Sequence, residues 1–374
     1  MGARPVTRRC LVVSAVNFTE GGPLTVLRAF VDAACEVLPA EWEVVVFAHD
    51  SRLLTAARAR VIAVPYTKHS WLRRLWVEWH EFRGHAGELR PDLWVSLHDI
   101  SPNVGRARQA VYCHNPSAFY PVRLQDAFFE PSLLLFRVAY AWLYRINLSR
   151  NRAVIVQQAW MREEFRKWIK APTEIIVAHP AARADDEGQG VSATRSAAPA
   201  TFLYPALPRA FKNVELLCRA VEHLESDSQW QSQLVLTIDG AENRYARWLK
   251  SRFGKLATIR FAGRQTPEQM QTRYAEADCL LFPSRMETWG LPITEAKQHH
   301  LPMFVADLPY ARETVGSYPA VEFIDIDDYR ALASKLLAFQ QGQFRFHPVQ
   351  AVPPQPPFVS DWANLILRLT SSVS

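Results

Sequence analysis

Short apolar runs alternate with segments of helical periodicity over the part of the chain before residue 181. The runs lie at 10–16, 43–49, 61–65, 93–98, 110–114, 153–157 and 174–180. Because nearly every position in them is apolar, we expect strands covered on both faces, as in a parallel sheet. After the first run, apolar residues recur at a spacing of three and four, at Leu27, Phe30, Val31, Ala34, Cys35 and Leu38. This spacing predicts an amphipathic helix and a β-α-β start.

A second series of apolar runs follows a break in the pattern. The stretch 181–200 loses large apolar residues and is predicted to be a linker. Strands are then expected at 201–206, 234–239, 258–263, 279–284, 303–307 and 321–325. The prediction is an α/β protein with two tandem Rossmann-like, doubly wound domains, at 1–180 and 201–346. The proline-rich stretch 347–357 and an amphipathic helix end the chain, and we expect 347–374 to return to the first domain.

Composition and charge narrow the class of protein. The 374 residues are 49% hydrophobic, which is enough for two ordinary cores, and the net charge of +6 gives no indication of nucleic acid binding. The five cysteines are widely spaced and mostly lie inside apolar runs, as reduced core thiols do. The apolar run after the basic N-terminus is too short for a secretory signal or a membrane span. These features predict a cytoplasmic globular protein.

Two glutamates flank a tight loop in "METWGLPITEAK", residues 286–297. The preceding strand ends before them and a helix is predicted to begin at Pro292, so Glu287 and Glu295 lie at the carboxyl end of a parallel strand. Gly290 permits close approach of the backbone to a ligand, and free helix-start amides favour an anion. The alternative is that Glu295 complements the helix dipole and Glu287 is a solvated loop acid.

Basic residues of the same predicted domain favour a ligand. Arg209 and Lys212 lie in "YPALPRAFKN", another strand-to-helix loop, from which they could reach a pyrophosphate at the sheet edge. Acids for sugar or ribose hydroxyls and bases for phosphates together indicate a nucleotide-sugar site.

Longer stretches resemble a known family. One is "FPSRMETWGLPITEAKQHHLPMFVADLPYARETVG", which is similar to the E-x7-E region of retaining glycosyltransferases of family 4 (GT4), enzymes with the two-Rossmann GT-B fold. Others are "FLYPALPRAFKNVELLCRA", similar to the family's phosphate-binding loop, and "IRFAGRQTPEQMQTRYAEADCLLFPS", similar to its nucleotide-proximal strand and helix. The resemblance covers most of 200–330 and is looser in "EGGPLTVLRAF" and "VYCHNPSAFY". It implies a cleft between the two domains.

The resemblance implies a role for individual residues. Glu287 would contact the donor sugar near the reacting centre, with His114 facing it across the cleft as a second catalytic residue. Glu295 would accept hydrogen bonds from ribose hydroxyls, and Lys212 would neutralise the leaving diphosphate. Further donor contacts are implied for the phosphate-binding Gly21 and Gly22 and for the sugar- or nucleotide-binding Thr288, Trp289, Gly290, Leu291 and Arg264.

One departure from the family pattern concerns the phosphate loop. The family usually has Gly-Arg about five residues before the lysine, whereas this chain has Ala206-Leu207. Arg209 is the nearby arginine, and we expect it to substitute from a different point on the loop.

The implied chemistry needs no protein nucleophile and no cofactor. In a retaining transfer the departing phosphate can take the acceptor proton on the same face, so the protein positions the reactants and stabilises charge. Glu287 could be a nucleophile or a stabiliser of an oxocarbenium-like state, and we predict a stabiliser. The Asp-x-Asp pattern in "DIDD", 325–328, is better explained by helix capping than by a metal ion, and no metal is predicted.

Other residues leave alternatives open. His98, in "VSLHDISPN", ends a predicted strand and is either structural or part of the site. The segment 68–83 places Leu72, Leu75, Trp76, Trp79 and Phe82 on one helical face, near several basic residues. This face either packs on the core or forms a surface for a lipid acceptor or for peripheral contact with the inner face of the membrane.

The function predicted from the sequence is a metal-independent retaining glycosyltransferase. It would move a sugar of mannose or rhamnose type from a nucleotide-diphosphate donor to a glycan or lipid-linked glycan in surface polysaccharide or lipopolysaccharide biosynthesis. The rivals are a catalytically silent nucleotide-sugar-binding scaffold subunit and a GT-B sugar epimerase.

Overall fold

The computed structural model describes residues 8–54, 56, 58–169, 172–180, 197–226, 229–347 and 349–371. These residues form two compact units. The first contains the described chain up to Phe119, from Val138 to Pro180 and from Pro354 onward, and the second contains Tyr120–Arg137 and the described chain from 197 to Pro353. Most of the predicted linker, 181–196, lies outside the described residues.

The strands follow one another in chain order with helices between them. The strands are β1 Arg9–Ala15, β2 Trp42–Ala48, β3 Ala59–Ala63, β4 Leu93–Ser96, β5 Gln109–Cys113, β6 Ala153–Val156, β7 Glu174–Ala178, β8 Thr201–Tyr204, β9 Gln233–Leu236, β10 Ile259–Phe261, β11 Cys279–Phe282, β12 Met303–Ala306, β13 Val321–Ile324 and β14 Phe358–Val359. Each strand predicted from an apolar run is confirmed to within two or three residues at its ends. The two-residue β14, in the proline-rich stretch, gave no such signal because so short a run has no period.

The α-helices carry the connections between strands. They are α1 Gly21–Val37, α2 Trp71–Trp76, α3 Phe82–Leu89, α4 Leu124–Phe129, α5 Pro131–Arg145, α6 Ala159–Arg166, α7 Val214–Glu225, α8 Arg244–Phe253, α9 Pro267–Glu276, α10 Leu291–Gln298, α11 Pro309–Val315, α12 Tyr329–Gln340 and α13 Trp362–Ser371. Short 3-10 turns lie at Ser51–Leu53, Pro65–His69, Pro116–Phe119, Leu148–Arg150 and Ala210–Lys212, and a π turn at Val77–Glu81. None of the helices in the described part of the chain is long and apolar enough to cross a membrane.

The first unit is built on a parallel sheet with the order β14-β7-β6-β5-β4-β1-β2-β3 among the described strands. Alternate residues of β1 enter different apolar clusters, Leu11 and Val13 in one and Cys10 and Val12 in another, so both faces of the sheet are covered. The predicted apolar stripe of α1 is buried except for the half-buried Cys35, and Phe30 contacts Trp362 of α13 edge-on. The final helix therefore packs in the core of the first unit.

The second unit has a parallel sheet with the order β10-β9-β8-β11-β12-β13 among its described strands. Numbered within the unit, this is the 3-2-1-4-5-6 order of a Rossmann sheet, and the order reverses between β8 and β11. The two sheets confirm the predicted α/β fold class of two Rossmann-like domains.

The second unit also includes Tyr120–Arg137, which the sequence analysis places with the first domain. Tyr120 and Leu133 form a small apolar cluster with Met286, and Phe211 packs against it. The contacts that assign this segment are made between residues far apart in the chain, which a local pattern does not show.

The segment 68–83 differs from the single amphipathic helix predicted for it. The π turn Val77–Glu81 interrupts the helix, and Arg74, Val77, Glu78 and Phe82 are buried while Leu72 and Trp76 are 78% and 57% exposed. A π turn adds a residue to one turn and rotates the faces on either side of it. Leu72 and Trp76 therefore do not pack on the core with Phe82.

Candidate functional site

The candidate site lies where the strand order of the second unit reverses. β8 and β11 are parallel neighbours, so the loop after Tyr204 and the loop after Phe282 leave the same edge of the sheet. In open α/β sheets this is the position at which ligands bind. The first loop carries Arg209 and Lys212, and the second carries Glu287 and leads to Glu295.

The loop after β8 ends in a tight turn that places Lys212. Ala210–Lys212 form a 3-10 turn, and Asn213 has a left-handed φ of 59°, which an asparagine adopts more readily than most residues. Asn213 is fully buried, and its Nδ2 donates to the carbonyl of Ile326 at 2.9 Å. The Tyr204 hydroxyl donates to the carbonyl of Lys212 at 2.6 Å. The backbone around Lys212 is thus fixed on both sides of it.

Lys212 and Glu287 form an ion pair between the two loops. Lys212 Nζ donates to Glu287 Oε1, and the side chains are only 16% and 15% exposed. The ammonium also lies 5.6 Å from the Phe211 ring and 5.7 Å from the Phe282 ring. Glu287 is therefore not a solvated loop acid. A cation and a carboxylate with limited access to water interact more strongly than an exposed pair would.

Glu295 is the fifth residue of α10 and makes a specific contact. The Tyr274 hydroxyl donates to Glu295 Oε2 at 2.5 Å, and the first turn of α10 contains no acidic residue. Burial, together with the neighbouring Glu295 charge, raises the pKa of Tyr274, so this hydroxyl remains a donor. Complementing the helix dipole does not account for Glu295, because that effect is confined to the first turn.

The loop between the two glutamates is held against the sheet. Gly290 has a φ of +86°, and a Cβ there would lie 3.3 Å from the Ile293 side chain and 3.4 Å from that of Phe282. Trp289 is 7% exposed, its indole N–H donates to the Thr294 hydroxyl at 3.0 Å, and its carbonyl accepts from the Thr314 hydroxyl. These contacts tie the loop to its surroundings, and α10 begins at Leu291, one residue before the predicted start at Pro292.

The remaining residues predicted for this site differ in exposure. Thr288 is half-buried, and Leu291 is 50% exposed. Arg209 is 40% exposed and pairs with Glu130, whose carboxylate lies 2.5 Å from Arg209 Nε. Arg264 is exposed after β10, and β9 lies between that edge strand and β8. The structure thus brings Lys212, Glu287 and Glu295 to the switch-point loops and leaves Arg264 farther along the edge.

The first unit has its own switch point, between β1 and β4. Gly21, with a φ of +64°, begins α1 after β1, and the half-buried Gly22 follows it. His114 follows β5, the neighbour of β4, and Asp99 follows β4. The predicted first-domain residues therefore lie at carboxyl ends of strands around this switch point.

Asp99 organises the surroundings of His114. Its Oδ1 accepts from the backbone N–H of His114 at 2.7 Å and from the Tyr144 hydroxyl at 2.9 Å, and it lies 3.3 Å from His114 Nδ1. The imidazole stacks on Tyr112 and is 23% exposed. Nδ1 of His114 is buried and makes no hydrogen bond among the described residues, although the Asp99 carboxylate lies close to it.

His98 is fully buried and belongs to a charged cluster with Arg74 and Glu78. Arg74 Nε donates to Glu78 Oε1 at 2.7 Å, and Arg74 Nη2 donates to the carbonyl of His98 at 2.8 Å. Burial raises the pKa of Glu78 to about 7 and lowers that of His98 well below its usual range. The cluster supports the structural reading of His98. Arg74, one of the basic residues of 68–83, is thus buried and paired, and not exposed to solvent.

The aspartates of "DIDD" accept hydrogen bonds from backbone N–H groups and form ion pairs with arginines. Asp328 caps α12 by accepting from the N–H groups of Arg330 and Ala331, at 3.0 and 2.9 Å, and Asp327 pairs with Arg123. Among the described residues no group of three or more His, Cys, Asp or Glu side chains could hold a metal ion.

Three contributors to the site were missed by sequence reasoning. Tyr274 and Asn213 lie in stretches that resemble the family but were not singled out, and Glu130 lies in a segment with no ligand-binding pattern. For Asn213 a signal was available, since asparagine directly after the lysine and before a helix suits a left-handed turn. Tyr274 and Glu130 act through contacts that only the folded chain makes.

Comparisons with known proteins agree with this architecture. Residues 193–343 match the family model described as "Glycosyl transferases group 1". A comparison with curated protein sequences gives no match.

Solved structures of similar fold cover almost the whole chain. The lipopolysaccharide outer core galactosyltransferase WaaB in its apo form has a TM-score of 0.62 and 15% identity, over 90% of this chain and 91% of that chain. Sucrose-phosphate synthase from Thermosynechococcus elongatus has a TM-score of 0.60 and 18% identity, over 90% and 92%. HepE from Anabaena, solved in complex with UDP-glucose, has a TM-score of 0.58 and 15% identity, over 97% and 99%. At such identities the likeness shows the fold, which is GT-B.

The family match falls on the unit that contains Lys212, Glu287 and Glu295, and the fold is shared along both units. Residues 193–343 are thus similar to group 1 glycosyl transferases, and the chain has the GT-B fold, which together support a glycosyltransferase.

Proposed function

We propose that this chain transfers a sugar from a nucleoside diphosphate to a glycan or lipid-linked glycan with retention of anomeric configuration, as GT4 enzymes do. The observation that carries the proposal is the Lys212–Glu287 pair at the β8–β11 switch point, with Glu295 on the helix that follows. A diphosphate requires a cation, a sugar requires hydrogen-bond acceptors, and this edge of the sheet supplies both.

Each residue has a distinct part in the proposed reaction. Lys212 would bind the diphosphate and stabilise the charge that develops on it as the bond from the anomeric carbon to the phosphate oxygen breaks. The acceptor oxygen forms the new bond on the same face, and its proton passes to the departing phosphate oxygen. Glu295 would hold the ribose hydroxyls through its carboxylate, which Tyr274 orients.

Glu287 is proposed as an electrostatic stabiliser of the oxocarbenium-like state and not as a nucleophile. Its carboxylate is paired with Lys212, and a carboxylate that shares its charge with an ammonium is a weaker nucleophile. A negative charge next to the anomeric carbon still favours the developing positive charge.

The proposed donor and acceptor are suggested by the similar structures and by the sequence. HepE, which shares the fold, was solved with UDP-glucose, so a nucleotide sugar suits this architecture, and the sequence favours a sugar of mannose or rhamnose type. WaaB acts in the lipopolysaccharide outer core, which supports an acceptor in surface polysaccharide biosynthesis.

A membrane-facing surface is proposed in the first unit. Trp71, Leu72 and Trp76 of α2 are exposed, and so are Val138 and Trp142 of α5, whose ring contacts Trp79 edge-on. Tryptophan and leucine beside the exposed Arg73 suit the headgroup layer of an anionic membrane. The side chain of Lys68, at the start of the predicted segment, lies outside the described part of the chain.

The first experiment is thermal stabilisation of the purified protein by UDP, GDP, ADP, CMP and dTDP. A ligand at about 100 times its dissociation constant stabilises by about 2.7 kcal/mol, which is easily measured. Wild type should respond to one diphosphate, whereas Lys212→Ala and Glu295→Ala should not. Lys255→Ala and Glu276→Ala are matched controls, because both residues are exposed and lie before β10 and β11, at the opposite ends of those strands.

Product analysis with sugar donors separates the rival functions. Release of free nucleoside diphosphate supports transfer or hydrolysis, whereas an epimerase interconverts the donor and keeps its diphosphate bond. Binding without either change would support the scaffold subunit, and no binding by wild type would overturn the proposed site.

A further inference from the structure

We propose that Glu130 is a positioning residue of the donor phosphate site. Its carboxylate would hold Arg209 in the orientation that binds the diphosphate. The inference rests on the proposed function and extends it to a segment that gave no sequence signal. The role of Glu130 also explains how Arg209, which lies at an unusual point of the loop after β8, can bind the phosphates.

Glu130 binds this loop with both carboxylate oxygens. Its Oε2 accepts from Arg209 Nε at 2.5 Å, and its Oε1 accepts from the backbone N–H of Ala210 at 2.6 Å. The Glu130 side chain is only 10% exposed, whereas that of Arg209 is 40% exposed. One carboxylate thus fixes a side chain and the backbone next to it, and it leaves the guanidinium open to solvent.

The segment Tyr120–Arg137 carries Glu130 to this place and is anchored in the second unit at several points. Arg123 forms a bidentate pair with Asp327 at 2.8 and 3.1 Å. Phe129 packs on Tyr245 and Trp248, and Glu130 itself directly follows α4. Tyr120 and Leu133 pack with Met286, the residue before Glu287. The segment therefore bridges the two loops of the candidate site.

The geometry preserves the part of Arg209 that binds phosphate. Among the described contacts, Glu130 uses Nε–H, and no hydrogen bond of Nη1 or Nη2 is found in that part of the chain. The terminal N–H groups can still form a pair of parallel hydrogen bonds with phosphate oxygens. An arginine fixed beforehand loses less rotamer entropy when the ligand binds, so Glu130 should improve diphosphate affinity although it is itself negative.

Two other roles of Glu130 predict different results. A carboxylate that merely fills the anion site would compete with the diphosphate, so its removal would tighten binding. A purely structural carboxylate would affect stability and leave affinity for the phosphates unchanged. Binding measurements on the full chain distinguish all three.

The test is calorimetric titration of wild type, Glu130→Gln, Arg209→Gln and the double variant with UDP and GDP. Uridine and guanosine provide the same bases without phosphates. Gln keeps the size of Glu130 but replaces one of the two acceptor oxygens with an amide nitrogen, which is a donor, and it removes the negative charge. Asp327→Asn is the matched control, since it weakens the anchoring of the same segment by Arg123 without touching Arg209.

The expected result is about tenfold weaker diphosphate binding in Glu130→Gln, with nucleoside binding unchanged. In the Arg209→Gln background, Glu130→Gln should have little further effect, because Glu130 acts through Arg209. Asp327→Asn should bind the diphosphate like wild type.

Several outcomes would overturn the inference. Tighter diphosphate binding in Glu130→Gln would show a competitor, and unchanged binding with lower thermal stability would show a structural role. An undiminished effect in the Arg209→Gln background would show that Glu130 does not act through Arg209. If wild type binds no diphosphate, the proposed function itself fails, which is distinct from wild-type binding that Glu130→Gln leaves intact.

Discussion

Removing the hydroxyl of Tyr274 should weaken nucleotide binding without disturbing the core. Tyr274 is 1% exposed, its ring stacks on His299 with centroids 5.2 Å apart, and its hydroxyl donates to Glu295 at 2.5 Å. Tyr274→Phe keeps the ring and deletes only the donor. The carboxylate of Glu295 would then lose the contact that fixes its direction.

The magnitude follows from the kind of hydrogen bond. A hydrogen bond to a charged group contributes about 1.5–3 kcal/mol, but Glu295 is half-buried and water can replace part of it. We therefore expect a loss of about 1 kcal/mol in the free energy of unfolding of the second unit, or a fall of about 2–4 °C in its Tm. Loss of orientation at Glu295 should weaken nucleoside diphosphate binding by about threefold to tenfold, a change of about 0.7–1.4 kcal/mol.

The assay is thermal unfolding together with calorimetric titration of the nucleoside diphosphate. Tyr318→Phe is the matched control, because Tyr318 is also buried and its hydroxyl donates to the carbonyl of Leu301 at 2.9 Å. Tyr318→Phe should lower the Tm by a similar amount and leave nucleotide affinity unchanged. Equal affinities for Tyr274→Phe and Tyr318→Phe would refute the orienting role of Tyr274.

Three further predictions concern the loop, the buried charges and the exposed aromatic face. Gly290→Ala should lower the Tm by several degrees, because its φ of +86° is unfavourable to any residue with a Cβ and the added carbon would lie 3.3 Å from Ile293. Gly87→Ala is the control, because a Cβ at Gly87 would have no atom within 4 Å, and equal Tm values for the two variants would contradict the prediction. Because the pKa of Glu78 is raised, the free energy of unfolding should fall as pH rises from 4.5 to about 7. Because the pKa of His98 is lowered, the free energy of unfolding should fall as pH drops below 6.5, so the two groups have opposite effects between these pH values. Glu78→Gln removes the first effect, and urea unfolding between pH 5 and 6.5 should then show stability rising more steeply with pH than in wild type; an unchanged profile would exclude this balance. Leu72→Gln with Trp76→Gln should reduce co-sedimentation with vesicles containing anionic lipid, while Val352→Gln, also exposed, should not, and equal sedimentation would rule out the proposed face.

Local sequence patterns predicted the strands and the first helix well. Near-continuous apolar runs such as 279–284 occur in strands covered on both faces, and they need no knowledge of the rest of the chain. The same patterns failed in 68–83, where one π turn rotates the faces of the helix and turns Leu72 outward and Arg74 inward. A helical period assumes regular turns, so it could not detect this change.

The candidate site was predicted in part. Glu287, Glu295 and Lys212 were identified from charged residues beside strand ends and from the family resemblance, and the structure places all of them on the switch-point loops or the helix that follows. The sequence did not predict which residues these side chains contact. In the structure Lys212 and Glu287 form an ion pair with each other. Tyr274 is separated from Glu295 by 21 positions and Glu130 from Arg209 by 79, and neither pairing follows from any local rule.

The sequence by itself determined where strands and helices form, that the sheets are parallel and which loops hold charged residues at their carboxyl ends, because these depend on the periodicity and type of neighbouring residues. The tertiary structure alone decided the order of the strands, the partner of each charge and the assignment of Tyr120–Arg137 to the second unit. These depend on which distant apolar faces pack together, and that choice is made by the whole core and not by any single segment.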